Sequence, residues 1–178
     1  MVNLKNVFLS DEKMKTLIKL MESKNRLKEI NFNNVKIKKQ GLKYFCQFLQ
    51  NNDQKLNKNN KNNKNNKNNQ KNQKKSGKKI KKLSLRCNKF NFESIKLICE
   101  SLKTNNKIKF LDFSFNKISL NGMKMICEML NLNTKLETIY LEFIGINSES
   151  MKLFSQTLSR NSCLTEIDLS NNNLNKEE

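Results

Sequence analysis

The sequence predicts an α/β fold in which one strand–helix unit is stacked repeatedly to form a solenoid. Two observations predict it. An apolar pattern of the form L-x-x-L-x-L-x-x-N-x-L recurs every 28 residues, and an amphipathic segment follows each copy. The copies begin at Ile80, Ile108, Leu136 and Leu164. A single strand–helix unit cannot bury its apolar face, whereas stacked units share one continuous core.

Two further copies lie towards the N-terminus. One begins at Leu27, and its distance of 53 residues from Ile80 equals one period plus a 25-residue insertion, Lys55–Lys79. One period earlier, apolar residues fall on the later positions of a truncated first copy: Val2, Leu4, Val7 and Leu9. We therefore predict one solenoid domain. Residues 1–54 form repeats 1 and 2, residues 55–79 form a disordered Asn/Lys-rich insertion, and residues 80–178 form repeats 3 to 6, the last truncated.

The second half of each period predicts a helix. Apolar residues recur there at spacings of three and four, which is typical of an amphipathic helix. The residues are Met14, Leu17 and Met21, then Phe45 and Leu49, Ile98 and Leu102, Ile126 and Leu130, and Phe154 and Leu158. An asparagine is expected to close each later helix, at Asn52, Asn105, Asn133 and Asn161.

These repeats resemble the leucine-rich repeat family in its ribonuclease-inhibitor-like subclass. That subclass has a 28-residue unit and a glycine near the helix start, as at Gly41 and Gly122. The resemblance covers the whole chain except the insertion. It implies a horseshoe-shaped solenoid with parallel strands on the concave face and helices on the convex face.

The resemblance also implies a ladder of buried asparagines that hydrogen-bond the neighbouring repeat. This asparagine is present as Asn88, Asn116 and Asn172, but Val7, Val35 and Ile144 replace it in the other copies. We expect less regular turns at those copies, because an apolar side chain cannot satisfy the backbone amides of the turn. A distorted turn is expected around Gly145.

Composition excludes several classes of function. The chain has no histidine, no proline and four glycines, so it lacks His-based catalysis, His metal sites and Gly-rich phosphate loops. Its apolar runs are too short to span a membrane, and its N-terminus does not resemble a secretory signal. Five cysteines, an odd number, indicate reduced thiols and an intracellular protein, which we expect in the cytoplasm rather than the nucleus. No cofactor is expected.

Three of these cysteines share one helix position: Cys46, Cys99 and Cys127. Their regular spacing invites a metal-site interpretation. The chain has no CxxC pair and no histidine, however, so packing at a small-residue position is the favoured interpretation.

The predicted binding surface consists of the residues that alternate with the core positions of the strands. Across repeats 2 to 6 it carries five acidic and two basic side chains, and a central group of aromatic rings. The predicted partner-binding residues are Lys82, Arg86, Phe110, Asp112, Phe115, Tyr140, Glu142, Phe143 and Asp168. Aromatic rings flanked by carboxylates suit a protein or peptide partner with apolar and basic groups. In the alternative interpretation, Phe115 and Phe143 fold over the strand ends into the core.

The sequence therefore predicts a non-catalytic protein-interaction scaffold, and two other functions stay open. The net charge is +19, of which Lys55–Lys79 contributes ten lysines, so that segment alone could bind nucleic acid non-specifically. The family also includes activators of the small GTPase Ran, although no activator motif can be placed here. An active carboxylate pair formed by Asp112 and Glu142 is less consistent with a solvent-facing sheet than two solvated acids.

The predicted last repeat carries no polar capping unit. Its strand residues Leu164, Ile167 and Leu169 could leave an open edge for end-to-end association. They could equally be half-exposed at a frayed end, or continue into a longer repeat protein.

Overall fold

The computed structural model describes residues 1–24, 26–62 and 80–174, and for residues 52–62 it describes the backbone alone. Eight strands and five helices follow one another in these ranges. The strands are β1 (Val2–Asn3), β2 (Phe8–Leu9), β3 (Glu29–Asn31), β4 (Lys36–Ile37), β5 (Lys82–Ser84), β6 (Phe110–Asp112), β7 (Thr138–Tyr140) and β8 (Glu166–Asp168). The helices are α1 (Asp11–Ser23), α2 (Lys39–Asn62), α3 (Phe92–Leu102), α4 (Leu120–Leu132) and α5 (Ser148–Leu158).

One parallel six-stranded sheet runs through the molecule in the order β1-β3-β5-β6-β7-β8, and a second pair joins β2 to β4. Each strand pairs with the next at the repeat spacing, as in the alignment of Lys82 with Phe110. The pairing of Glu29 with Lys82 skips the insertion. The predicted α/β repeat solenoid is confirmed, with the helices packed side by side against one face of the sheet.

The core lies between this sheet and the helices. Each central strand contributes a fully buried residue at its middle position: Ile30, Leu83, Leu111 and Ile139. A second buried residue lies two positions later, as in Phe32 and Phe113. The alternation of buried and exposed positions along each strand sends the intervening side chains to the concave face.

The helices begin at capping residues that also recur with the repeat. The side chains of Ser10, Asn91, Ser119 and Asn147 each accept a hydrogen bond from the backbone amide three residues later. At α2 the corresponding residue is Lys38, which cannot accept. There Asp11 of the preceding repeat accepts from the Gly41 amide at 2.7 Å.

The predicted asparagine ladder is present at the strand ends. Asn116 is fully buried; its Nδ2 donates to the carbonyls of Leu85 and Phe113, and its Oδ1 accepts from the Asn88 amide at 2.9 Å. Asn172 makes the same contacts one step on, donating to the carbonyl of Leu141. Each ladder asparagine therefore joins its own repeat to the preceding one.

The turn at Ile144 shows how the fold responds where the asparagine is missing. Gly145 adopts φ +86°, and the Ile144 carbonyl accepts from the Ile118 amide at 2.9 Å. Left-handed backbone of this kind favours glycine. A backbone carbonyl thus takes over part of the role of the absent side chain, which matches the distortion expected there.

A second asparagine ladder lies at the helix ends, where the sequence predicted only helix closure. Asn133 Nδ2 donates to the Leu102 carbonyl at 2.7 Å, and its Oδ1 accepts from the amides of Lys135 and Leu136. Asn105 and Asn161 do the same in their repeats. These residues therefore fix the return of the chain from helix to strand as well as ending the helix.

The helix α2 extends to Asn62, eight residues into the segment predicted to be disordered. The remaining insertion residues, 63–79, lie outside the described residues, and so does that part of the prediction.

Candidate functional site

Strand register brings the predicted partner-binding residues together in rows across the concave face. One row consists of Lys82, Phe110, Thr138 and Glu166 on four adjacent strands. The next consists of Ser84, Asp112, Tyr140 and Asp168. Adjacent parallel strands lie about 4.8 Å apart, so neighbours within a row can touch. The parallel sheet thus converts a spacing of one repeat in sequence into contact in space.

The first aromatic pair joins Phe110 and Tyr140. Their ring centroids lie 5.0 Å apart at an interplanar angle of 76°, an edge-to-face geometry. The Lys82 ammonium lies 5.7 Å from the centroid of the Phe110 ring. The Tyr140 hydroxyl donates to Glu166 Oε1 at 2.5 Å, and this hydrogen bond raises the pKa of Tyr140. Both rings are half-buried, so each keeps apolar surface in contact with solvent.

The second aromatic pair joins Phe115 and Phe143 at the turns that follow β6 and β7. Their ring centroids lie 5.3 Å apart at 31°. Phe143 is 60% exposed and Phe115 is half-buried. The alternative in which these rings fold into the core is therefore wrong for Phe143, whose ring stands on the surface.

Both phenylalanines adopt left-handed backbone, with φ 58° at Phe115 and 51° at Phe143. The same repeat position is left-handed in every described copy, and asparagine occupies it at Asn6, Asn34 and Asn171. Asparagine tolerates this conformation, whereas a bulky aromatic residue there is strained. The two rings are thus held at the sheet edge at a cost in backbone energy.

Arg86 connects this aromatic pair to the acidic part of the face. Its guanidinium carbon lies 4.0 Å from the centroid of the Phe115 ring, and its Nη1 lies 2.7 Å from Glu142 Oε2. The other oxygen of Glu142 accepts from Asn171 Nδ2 at 2.9 Å. Arg86 therefore reaches from the end of β5 across the following repeat to the end of β7, with both ends of its ion pair fixed.

Asp112 differs from the expectation of a solvated acid, because it is only 7% exposed. Its Oδ1 accepts from the Ser114 amide at 2.9 Å. Its Oδ2 lies 3.0 Å from Ser84 Oγ, whose single hydroxyl hydrogen also lies within reach of Asn33. The carboxylate thus closes the turn after β6, a role that the repeat spacing did not indicate.

Asp168 occupies the corresponding position one repeat beyond Tyr140. Its Oδ1 accepts from both the hydroxyl and the amide of Ser170, at 2.6 and 2.9 Å. These hydrogen bonds hold the pKa of Asp168 below its ordinary value, with a smaller contribution from the positive charge of Arg86. The residue is half-buried and keeps its charge on the face.

The regularly spaced cysteines lie in the core. Burial raises the pKa of the Cys46 thiol to about 12 and that of Cys99 further still. Cys127 is also buried. Within the described ranges, no group of three or more histidine, cysteine or acidic side chains is arranged to hold a metal ion. These observations agree with packing at the small-residue position of the helices.

No helix in the described part of the chain is long and apolar enough to cross a membrane. The sequence model of the family described as Leucine Rich repeat matches residues 104–127 and 160–177. These segments cover the end of α3 to the first half of α4, and the C-terminal strand with its flanking turns. A search of curated proteins found no match to the chain.

Proposed function

We propose that this leucine-rich-repeat solenoid is a non-catalytic interaction module that binds a protein or peptide partner on its concave face. Leucine-rich repeats generally mediate protein–protein interaction. The 28-residue spacing supports the ribonuclease-inhibitor-like subclass, and the free cysteines support a reducing, intracellular location.

The observation that carries the proposal is the position of Phe143. A phenylalanine that is 60% exposed and also strained at φ 51° contributes less to stability than a buried one. Backbone strain of this kind tends to persist at functional sites, where the surrounding structure enforces it. Because Phe115 and the Arg86–Glu142 ion pair hold the ring in place, a partner would meet a preformed apolar surface.

The chemistry around the rings favours a partner with apolar and basic side chains. Carboxylates surround both aromatic pairs, and Arg86 is already neutralised by Glu142. Buried aromatic rings with a polar rim are typical of the centres of protein interfaces. The same carboxylates would repel a phosphate backbone, which argues against nucleic acid on this face.

An active-site role for Asp112 and Glu142 has little support from their surroundings. Asp112 is occupied by Ser84 and the Ser114 amide, and Glu142 is occupied by Arg86 and Asn171. A general acid or base needs free access to a substrate proton. A Ran-activator-like role likewise gains no further support from these residues.

Affinity capture from a cell lysate with the full chain tests the proposal. The binding-face variant carries Phe110→Ala and Tyr140→Ala. The control carries Phe92→Ala and Leu132→Ala, which remove exposed apolar side chains from the helices. We expect the control to recover the same partner as the parent chain, and the binding-face variant to recover at least about tenfold less. Equal recovery by all three folded proteins would contradict the proposal.

A deletion of residues 55–79 tests the nucleic-acid alternative separately. Binding to duplex and single-stranded DNA would be measured at two salt concentrations, since phosphate contacts weaken steeply with salt. Loss of DNA binding on deletion, with the captured protein partner unchanged, would assign the two activities to different parts of the chain.

A further inference from the structure

The formal charge of the concave face changes sign from one strand to the next. On β5 and the turn after it, Lys82 and Arg86 are both positive. The next two repeats carry one acid each, Asp112 and Glu142. On β8, both concave charges are negative: Glu166 and Asp168. The face is therefore positive at β5, increasingly negative towards β8, and aromatic in between.

The charges at the two ends cannot neutralise each other. Lys82 and Glu166 occupy the same row, three strand spacings apart, which corresponds to about 14 Å between their backbones. That distance exceeds the screening length of about 8–10 Å in physiological salt. The ion pair between Arg86 and Glu142 removes one charge of each sign from the middle of the face. What remains is a positive end, an aromatic centre and a negative end.

The local contacts keep these end charges directed at the same surface as the rings. Lys82 lies over the Phe110 ring, and Glu166 accepts from the Tyr140 hydroxyl and from Thr138 Oγ1. Each end charge is thus in contact with one member of the first aromatic pair. A ligand that covers this pair also meets both charges.

Resting on the proposed function, we infer that the partner segment is dipolar and lies across the strands. Its acidic side chain meets Lys82, its apolar side chains cover the two aromatic pairs, and its basic side chain meets Glu166 and Asp168. Complementary charge of this kind sets the orientation and specificity of a complex more than its affinity. A separation of about 14 Å corresponds to about four residues of extended chain between the acidic and basic residues.

The exchange of the two end charges tests this inference without altering net charge or composition. The variant carries Lys82→Glu and Glu166→Lys, which reverses the charge order of the row. The control carries Lys96→Glu and Glu149→Lys, an exchange between exposed residues of α3 and α5. A display library of random peptides would be selected on the parent chain, and selection on the Phe110→Ala, Tyr140→Ala variant would identify sequences that do not depend on the rings.

Peptides selected by the parent chain should carry an acidic and a basic residue on opposite sides of an apolar centre. We expect them to bind about tenfold more weakly to the exchanged variant and unchanged to the control. Binding to the exchanged variant should return when the acidic and basic residues of the peptide are also exchanged.

The outcomes separate this inference from the proposed function. Selected peptides that depend on the rings but bind the exchanged variant as well as the parent chain would overturn the dipolar inference alone. A selection that enriches no peptide over the Phe110→Ala, Tyr140→Ala variant would overturn the proposed function and this inference with it.

Discussion

Replacement of Phe143 by asparagine should remove the proposed binding surface while leaving the fold intact. The ring is 60% exposed, so about two-fifths of its area is in contact with protein. For a phenylalanine side chain of about 200 Å², that is roughly 80 Å², or about 2 kcal/mol at about 25 cal/mol per Å². The asparagine side chain should retain about half of this contact, so the expected loss of packing is about 1 kcal/mol.

Backbone energy should offset most of this loss. Phe143 has φ 51°, a left-handed conformation that costs a residue with a bulky side chain about 1–2 kcal/mol. Asparagine adopts it more readily and already occupies the same repeat position at Asn6, Asn34 and Asn171. The free energy of unfolding should therefore change by less than about 1 kcal/mol. By contrast, Phe113→Ala in the fully buried core should cost about 3–5 kcal/mol.

Denaturant unfolding of Phe143→Asn and Phe143→Ala, beside the parent chain, measures these terms. Alanine loses the same ring but keeps the strained backbone, so Phe143→Asn should be more stable than Phe143→Ala by about 1 kcal/mol. Partner recovery should fall at least about tenfold in both variants. A loss above about 2 kcal/mol in Phe143→Asn, or equal stability of the two variants, would refute the assignment of strain to this position.

Three further predictions follow from the hydrogen bonds and backbone of the described residues. The variant Asn116→Leu should lower the free energy of unfolding by about 3 kcal/mol in denaturant, because it leaves the buried Asn88 amide and Phe113 carbonyl without their partner. The variant Gly145→Ala should cost about 1 kcal/mol in the same measurement, because φ is +86° and no atom lies close enough for a steric clash. The variant Glu166→Gln should return the raised pKa of Tyr140 towards its ordinary value in an ultraviolet titration made with Tyr44→Phe.

Each of these predictions has a clear contrary result. A fully stable Asn116→Leu would mean that water replaces the ladder contacts, and a fully stable Gly145→Ala would mean that the turn relaxes. For Tyr140 the sign is fixed by linkage. A pKa raised in the folded state gives stability that is present below the unfolded pKa and is lost as pH rises through the folded value. An unchanged titration in Glu166→Gln would exclude the carboxylate as the main cause.

The repeat could be recognised because the physical constraint behind it is local and periodic. Each unit needs apolar residues at the same positions in order to continue the shared core, so the pattern remains visible despite an insertion of 25 residues. The ladder residue Asn116 was recognisable through the resemblance to leucine-rich repeats. The second ladder was missed as a ladder, although Asn105, Asn133 and Asn161 also recur every 28 residues. Their closure of the helix already explained their presence.

By itself, the sequence determined the order of strands and helices, their register and the set of residues on the concave face, because all of these depend on periodicity. Only the tertiary structure decided what those residues do there. It buries Asp112 in a turn, pairs Arg86 with Glu142 across an intervening repeat, and holds Phe143 exposed in left-handed backbone. These outcomes depend on side-chain directions and on contacts between repeats, which a linear pattern does not specify.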